Sequence, residues 1–277
     1  KAASHDLVNL EMCSVLHPAL VAALPRLRDL VAPFLSHRDE TRMGVTWTLG
    51  GLDVTMDDVK VKLTPQLRAF IATVAADASF ARVSVNGDPV YQGLTATVRF
   101  GNADVVPPPG VFLQAVAEME TAMADLVVAA AGKSKAIGDL FCGVGAFTFR
   151  LAERARVFAA DNDKRAIAAL NAGVKTARGL KPIEAITRDL FRKPLSATEL
   201  RDFDCIVFDP PRAGADAQAR MLAKSKVKTI VAVSCNPATL ARDARTLVDG
   251  GYTVDDVTPV DQFHYSPHIE AVAVFRR

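Results

Sequence analysis

The sequence predicts an α/β protein: a mostly parallel sheet with helices on both faces, preceded by a smaller α+β domain. Two observations carry this. After the breaker Pro107-Pro108-Pro109-Gly110, strand-length apolar runs alternate with runs of helical period to the end of the chain. Before it, two hairpin signals stand among helical patterns, without that alternation. The chain has 277 residues and is 50% hydrophobic, enough for at least one substantial core.

Taken in order, residues 17–34 have helical spacing. Residues 45–49 and 52–56 alternate as strands around Gly50-Gly51, and residues 82–85 and 88–91 do so around Asn86-Gly87. Residues 64–76 between them read as helix. The division into 1–105 and 106–277 follows from this change of pattern. In the second part a long helix is expected over 111–131. Strands are then expected at 136–141, 156–161, 183–189, 203–209 and 229–235, with helices at 146–153, 164–176, 218–224 and 238–248. Strands at 252–260 and 269–275 finish the chain.

Composition excludes little. Lys plus Arg is 33 against 31 for Asp plus Glu, so no polycationic tract announces a nucleic acid. The cysteines Cys13, Cys142, Cys205 and Cys235 form no CxxC pair, a pattern that fits reduced thiols in the cytoplasm. No apolar run approaches the roughly 20 residues of a membrane span. His264 and His268 have no further ligands at zinc spacing, so no metal is expected.

In a parallel sheet the ligand sits at the carboxyl ends of the strands. Phe141, Asp161, Asp189, Asp209 and Cys235 all fall at expected strand ends and should face one crevice. Asp139-Leu-Phe-Cys-Gly143-Val-Gly145 is a glycine-rich strand-to-helix turn that lets a ligand approach the backbone. A dinucleotide fingerprint would need a third glycine where Thr148 stands. Asp161 is placed to take the ribose hydroxyls of an adenosine, or to cap the helix that follows. Asp189 is placed to hold an adenine amino group, or to cap a loop.

Three further segments carry reactive groups. In Phe208-Asp209-Pro210-Pro211-Arg212-Ala-Gly214 the prolines hold a rigid turn. Asp209 there would accept from a uracil N3–H or cap the next helix, and Arg212 would meet phosphate or a base oxygen. Cys235 ends an apolar strand in Ser234-Cys235-Asn236-Pro237, just before a helix start, where amides and the helix dipole favour a thiolate. Glu270 opens the final apolar strand, either partly desolvated and fit for base duty or exposed on an edge.

Taken together, DLFCGVGAFT, FDPPRAGA, VSCNPATLARD and DQFHYSPHIE in this order resemble the RNA uracil-C5 methyltransferase family over essentially the whole chain. The resemblance implies a Rossmann-like class I methyltransferase sheet in 106–277, S-adenosylmethionine as cofactor, and a substrate- or RNA-recognition role for 1–105. Pro109-Gly-Val-Phe112-Leu-Gln114 resembles the family's F-x-Q segment, which makes Gln114 a cofactor ligand. By the same matching Phe141, Gly143, Gly145, Asp161 and Asp189 fall at cofactor positions, and Asp209 and Arg212 at substrate positions. Cys235 falls at the nucleophile and Glu270 at the base. Two departures concern cofactor contacts: Ala146 and Val116 stand where many members carry Asn.

The segment around Cys13 resembles the one holding the last cysteine of an iron–sulfur site in the ribosomal branch. One cysteine cannot hold a cluster, so a cluster is expected only in a longer chain. Cys13 favours 23S ribosomal RNA over transfer RNA as the substrate of a monomeric, cytoplasmic enzyme that engages no membrane. The rivals are a transfer-RNA uridine-C5 methyltransferase, an exocyclic-nitrogen methyltransferase, which would carry an aromatic residue where Arg212 stands, and a non-catalytic RNA-binding protein.

Overall fold

The computed structural model describes residues 9–35 and 40–277. Contacts divide the chain into two compact units, Lys1–Val98 and Arg99–Arg277.

In the first unit, α1 (Pro18–Val31) runs into a single 3₁₀ turn at Ala32–Phe34. Four strands follow: β1 (Arg42–Thr48), β2 (Gly51–Asp57), β3 (Arg82–Val85) and β4 (Asp88–Gln92), with α2 (Pro65–Asp77) between β2 and β3. The sheet order is β1-β2-β3-β4, with β2 and β3 parallel and the outer pairs antiparallel. Both hairpins form where the sequence places them. At the second turn Asn86 and Gly87 take φ of 50° and 85°, the left-handed pair that a two-residue turn of primed type requires. Leu30, Phe34, Val54, Met56, Ile71 and Val83 form the core of this unit.

One ion pair is buried here. Arg82 Nε and Nη2 donate to Asp53 Oδ1 and Oδ2 at 2.8 and 2.5 Å, with both side chains less than a tenth exposed. Asp53→Ala removes both carboxylate acceptors from a buried guanidinium. A loss of about 3–5 kcal/mol is expected in denaturant unfolding of this unit.

The second unit opens with a short hairpin, β5 (Val98–Phe100) and β6 (Ala103–Val105), the former straddling the boundary. Beyond it come α3 (Ala117–Ala131), β7 (Ala136–Leu140), α4 (Ala146–Ala152), β8 (Arg156–Asp161), α5 (Lys164–Thr176) and β9 (Ile183–Thr187). They continue as β10 (Cys205–Phe208), α6 (Asp216–Ala223), β11 (Thr229–Ser234), α7 (Pro237–Asp249), β12 (Thr253–Val260) and β13 (Glu270–Arg276). The seven-stranded sheet has the order β12-β13-β11-β10-β7-β8-β9. β7 to β11 are parallel, and β13 alone inserts antiparallel, between β11 and β12.

The sheet is buried on both faces because successive side chains point opposite ways. Val231 and Val233 join Met123, Val127 and Leu151 in one core, while Ile230 and Ala232 join Leu222, Leu247 and Tyr252 in the other. Glycine matters where elements touch: a Cβ at Gly138 in β7 would come within 2.5 Å of Ile206 Cδ1 on the neighbouring strand.

Two expectations are corrected. The helix expected over 111–131 starts only at Ala117, since Val116 is extended at φ −131°, ψ 116°. Apolar spacing alone did not mark this start; Gln114 is instead drawn to a partner at Gln262. The change of unit falls at Val98/Arg99 rather than at 105, because β6 packs against α5. Among the described residues no helix is long and apolar enough to cross a membrane.

Candidate active site

Strand ladders end at Leu140, Asp161, Thr187, Phe208 and Ser234. Phe141, Asp189, Asp209 and Cys235 therefore follow their strands by one or two residues. All five expected positions lie along the carboxyl edge of the parallel strands, Asp161 as the last residue of its ladder and the other four in the loops beyond.

The glycine turn is tied to the neighbouring strand. Phe141 takes φ 61° and donates its N–H to the Ala160 carbonyl at 2.8 Å. Asp161 then holds two loops at once: Oδ2 accepts from Gly143 N at 2.9 Å and Oδ1 from Asp163 N at 2.8 Å. The helix cap that Asp161 was weighed against belongs to Asp163, whose side chain accepts from Arg165 N and Ala166 N. Gly143 is left-handed at φ 53°, and a Cβ built there meets nothing within 4 Å, so the loop is open above it. Gly145 (φ 98°) is confined instead, its Cβ position lying 2.9 Å from Phe149. Asp189 Oδ1 accepts from Phe191 N and Arg192 N at 3.0 and 3.1 Å, and the Phe191 ring tilts against Phe141 at 5.3 Å.

Thr148, read in the sequence only as a missing glycine, donates to Asp139 Oδ2 at 2.5 Å. Both side chains are buried, and Asp139 Oδ1 has no partner among the described residues. Burial first, and then the Asp161 carboxylate, push Asp139 up to about 7, against the pull of Thr148. Asp139 was not singled out from the sequence; the available signal was a carboxylate inside the otherwise apolar strand.

The Asp209 loop is locked to α7. Asn236 Nδ2 and Thr239 Oγ1 donate to the Arg212 carbonyl at 3.0 and 3.3 Å. Asp243, 2% exposed, accepts from Ala215 N at 2.6 Å and from Arg242 Nε at 2.9 Å. Gly214 (φ 75°) admits no side chain, since a Cβ would lie 2.5 Å from Arg242 Nη2 and 2.8 Å from Asp243 Oδ2. The polar residues of Asn236-Pro-Ala-Thr239-Leu-Ala-Arg242-Asp243 thus brace the turn that carries Asp209 and Arg212. Asp209 does not cap the next helix, whose N-cap is Ala215. The Arg212 side chain is exposed.

Glu270 is buried, 4% exposed, because β13 lies inside the sheet; the edge reading fails for that topological reason. Burial raises its carboxyl, and a 3.0 Å hydrogen bond from Gln262 Nε2 opposes the rise. Burial and then the Glu270 and Asp139 carboxylates push Asp209 up to about 8. Cys235 is half-buried and its thiol is raised, by burial and then by Glu270 and Asp209, with Arg212 pulling the other way. The thiolate expected from the helix start is therefore corrected. Asn236 takes the Ala238 amide itself, Pro237 has no N–H, and the charges of Glu270 and Asp209 oppose ionisation of the sulfur. Cys142 and Cys205 are buried structural thiols, the latter pushed up to about 12.

Asp139, Asp161, Asp209 and Glu270 thus gather carboxylates along one edge, each of Asp139 and Asp209 raised by a neighbour. Such a cluster suits a cationic nucleoside ligand. The pyrophosphate of a dinucleotide would meet repulsion.

The family model for tRNA (uracil-5-)-methyltransferases matches residues 57–277. An uncharacterized RNA methyltransferase of Agrobacterium fabrum is 46% identical over 277 residues, which cover 100% of this chain and 67% of the relative. The 23S rRNA (uracil(1939)-C(5))-methyltransferase RlmD of Salmonella typhi is 31% identical across 100% of this chain and 65% of its own length. The chain thus spans about two thirds of the length of such relatives. Among solved structures, the tRNA (uracil-54, C5)-methyltransferase of Pyrococcus abyssi, in complex with S-adenosyl-L-homocysteine, superposes with TM-score 0.79 at 24% identity. That match covers 98% of this chain and 70% of the other, and it identifies the sheet as a class I methyltransferase fold. Because the family model takes in all but the first 56 residues, this chain belongs to the tRNA (uracil-5-)-methyltransferase family.

Proposed function

We propose that this chain methylates carbon 5 of a uridine in 23S ribosomal RNA through a covalent bond between Cys235 and C6 of the ring. The observation that carries the reading is the strand register: Cys235 follows β11, Asp209 follows the adjacent β10, and Glu270 opens β13 on the other side of β11, where Ser234 pairs with Ala271. S-adenosylmethionine is the cofactor and, when bound, supplies an electrophilic methyl group. Gln114, Phe141, Gly143, Gly145, Asp161 and Asp189 would hold it.

Uracil C5 is a weak nucleophile, and adding sulfur at C6 turns the ring into an enolate with electron density at C5. The Cys235 thiol first gives its proton to solvent, and the thiolate forms the S–C6 bond while the ring electrons move to O4. Asp209, raised to about 8 and thus largely protonated at neutral pH, donates a hydrogen bond to O4 as that charge collects, in place of the acceptance from N3–H expected of an ionised carboxylate. Once C5 carries the methyl group, Glu270 removes the C5 proton. The C5=C6 bond re-forms and the thiolate leaves. Arg212 meets a phosphate. The target base must be unpaired or flipped out; Tyr265, 93% exposed, and Phe263 offer aromatic faces beside the loop that ends at Glu270.

The ribosomal substrate rests on the segment around Cys13 and on the likeness to the 23S enzyme. A monomeric protein acting in the cytoplasm is part of the same proposal.

Transcripts carrying tritium at uridine C5 test the reaction. Release of tritium to water, dependent on S-adenosylmethionine and larger with 23S than with transfer RNA, is expected. Methylation with tritium retained would place the methyl group on another atom. Preference for transfer RNA would overturn the ribosomal assignment alone.

The carboxylate cluster gives a second expected result. A bound cation favours the ionised form of Asp139, so binding should release protons where Asp139 titrates. Affinity for S-adenosylmethionine should rise with pH from about 6 to about 7.5 and then level off, following the Asp139 carboxyl raised to about 7. Calorimetry in buffers of different ionisation enthalpy measures the proton release, which should be smaller for the uncharged sulfur of S-adenosylhomocysteine.

A further inference from the structure

Gln262, in the segment joining β12 to β13, is 6% exposed. Its Nε2 donates to Gln114 Oε1 at 2.8 Å and to Glu270 Oε1 at 3.0 Å. Both N–H bonds are thereby engaged, while its own buried Oε1 has no hydrogen-bond partner among the described residues. The orientation follows from the neighbours: turning the amide over would set its carbonyl against two oxygens. An unpaired buried carbonyl is unfavourable, so the two donated bonds hold the arrangement. Two consequences follow. Glu270 must act as an acceptor, which its ionised form does best. Gln114, with Oε1 engaged, is left with its own amide N–H groups to offer a ligand.

We propose that Gln262 is a positioning residue that holds Glu270 as an ionised base and turns Gln114 to present an N–H donor to an acceptor oxygen of the cofactor. Cofactor seating and proton removal are then linked through one side-chain amide. The inference rests on the reading of Glu270 as the base and Gln114 as a cofactor contact. The titratable groups facing Glu270 are Asp209 and Cys235, both of which feel its charge. Gln262 is the group whose hydrogen bond favours the carboxylate against burial.

Gln262→Leu, which removes both donors at similar size, tests it; Gln262→Glu keeps the shape and loses the donors when ionised. In either variant the dissociation constant of S-adenosylmethionine, read by calorimetry without RNA, should rise roughly three- to tenfold. In single-turnover tritium release, the acid limb of the pH profile should move to higher pH, and the protein–RNA adduct should persist longer. Either the affinity or the acid limb remaining at its wild-type value, in a variant that melts like wild type, overturns the link. Glu270→Gln, run alongside, separates the two failures. If it accumulates adduct while the Gln262 variants behave as wild type, only the role of Gln262 falls; if it accumulates none, the assignment of the base falls, and this inference with it.

Discussion

Cys235→Ala should abolish uridine methylation, a loss of at least about 10⁴-fold in turnover, while binding of S-adenosylmethionine persists. Without sulfur at C6 the ring has no enolate, and C5 cannot take the methyl group at a useful rate. The proposed cofactor positions Gly143, Asp161 and Asp189 belong to other strand ends and loops, and removing a half-buried thiol leaves the lock between the Asp209 loop and α7 in place. The same geometry sets the pH dependence of the native protein. Burial, Glu270 and Asp209 raise the thiol, so the reactive thiolate becomes more abundant as pH rises. Single-turnover adduct formation should therefore accelerate from about pH 7 to about pH 9. A rate flat over that range would mean that bound RNA and cofactor already hold the sulfur ionised. Full activity in Cys235→Ala would remove the covalent route altogether.

Glu270→Gln should lower turnover by about 10²–10⁴-fold, for a different reason and with a different signature. Gln keeps the size of the side chain and still offers an oxygen to Gln262 Nε2, so the packing at the start of β13 should survive. Addition of Cys235 and methyl transfer need no base at C5, but release does. The methylated adduct should accumulate and appear as an RNA-dependent, slower band on a denaturing gel. Loss of turnover with no such band would move the base elsewhere, with Asp209 the nearest carboxylate in electrostatic terms.

Much of the fold was legible because the second unit obeys simple periodicities. The span of β8 and that of α5 coincide with the sequence reading, since Asp163 caps the helix and apolar residues recur on one face. The two glycine turns of the first unit were legible for the same local reason. The missed helix start at Ala117 was not local: residues 111–116 carry apolar spacing, but Gln114 finds its partner 148 positions away. Sequence separation hides such a contact. The site followed the same division. Strand-end positions could be read from topology, and so Asp161, Asp209 and Cys235 could be named. The ionisation of Asp209 and Cys235 could not, because it depends on groups from separate strands: a helix start predicted a thiolate at Cys235, whereas Glu270 and Asp209 oppose one. Asp139 and Gln262 escaped notice because a carboxylate in a strand and an amide in a loop are unremarkable until burial leaves one oxygen of each without a partner. Thr148 was read as an absent glycine and proves to be the hydrogen-bond donor to Asp139.

The most direct test of the covalent route is to incubate the chain with S-adenosylmethionine and 23S RNA containing 5-fluorouridine, digest the product, and locate any adduct by peptide mass spectrometry. Fluorine at C5 cannot leave as a proton, so the reaction should stop after methyl transfer. A methylated 5-fluorouridine attached to the peptide containing Cys235 is expected. An adduct on Cys13, Cys142 or Cys205, or methylated RNA with no protein attached, would contradict it.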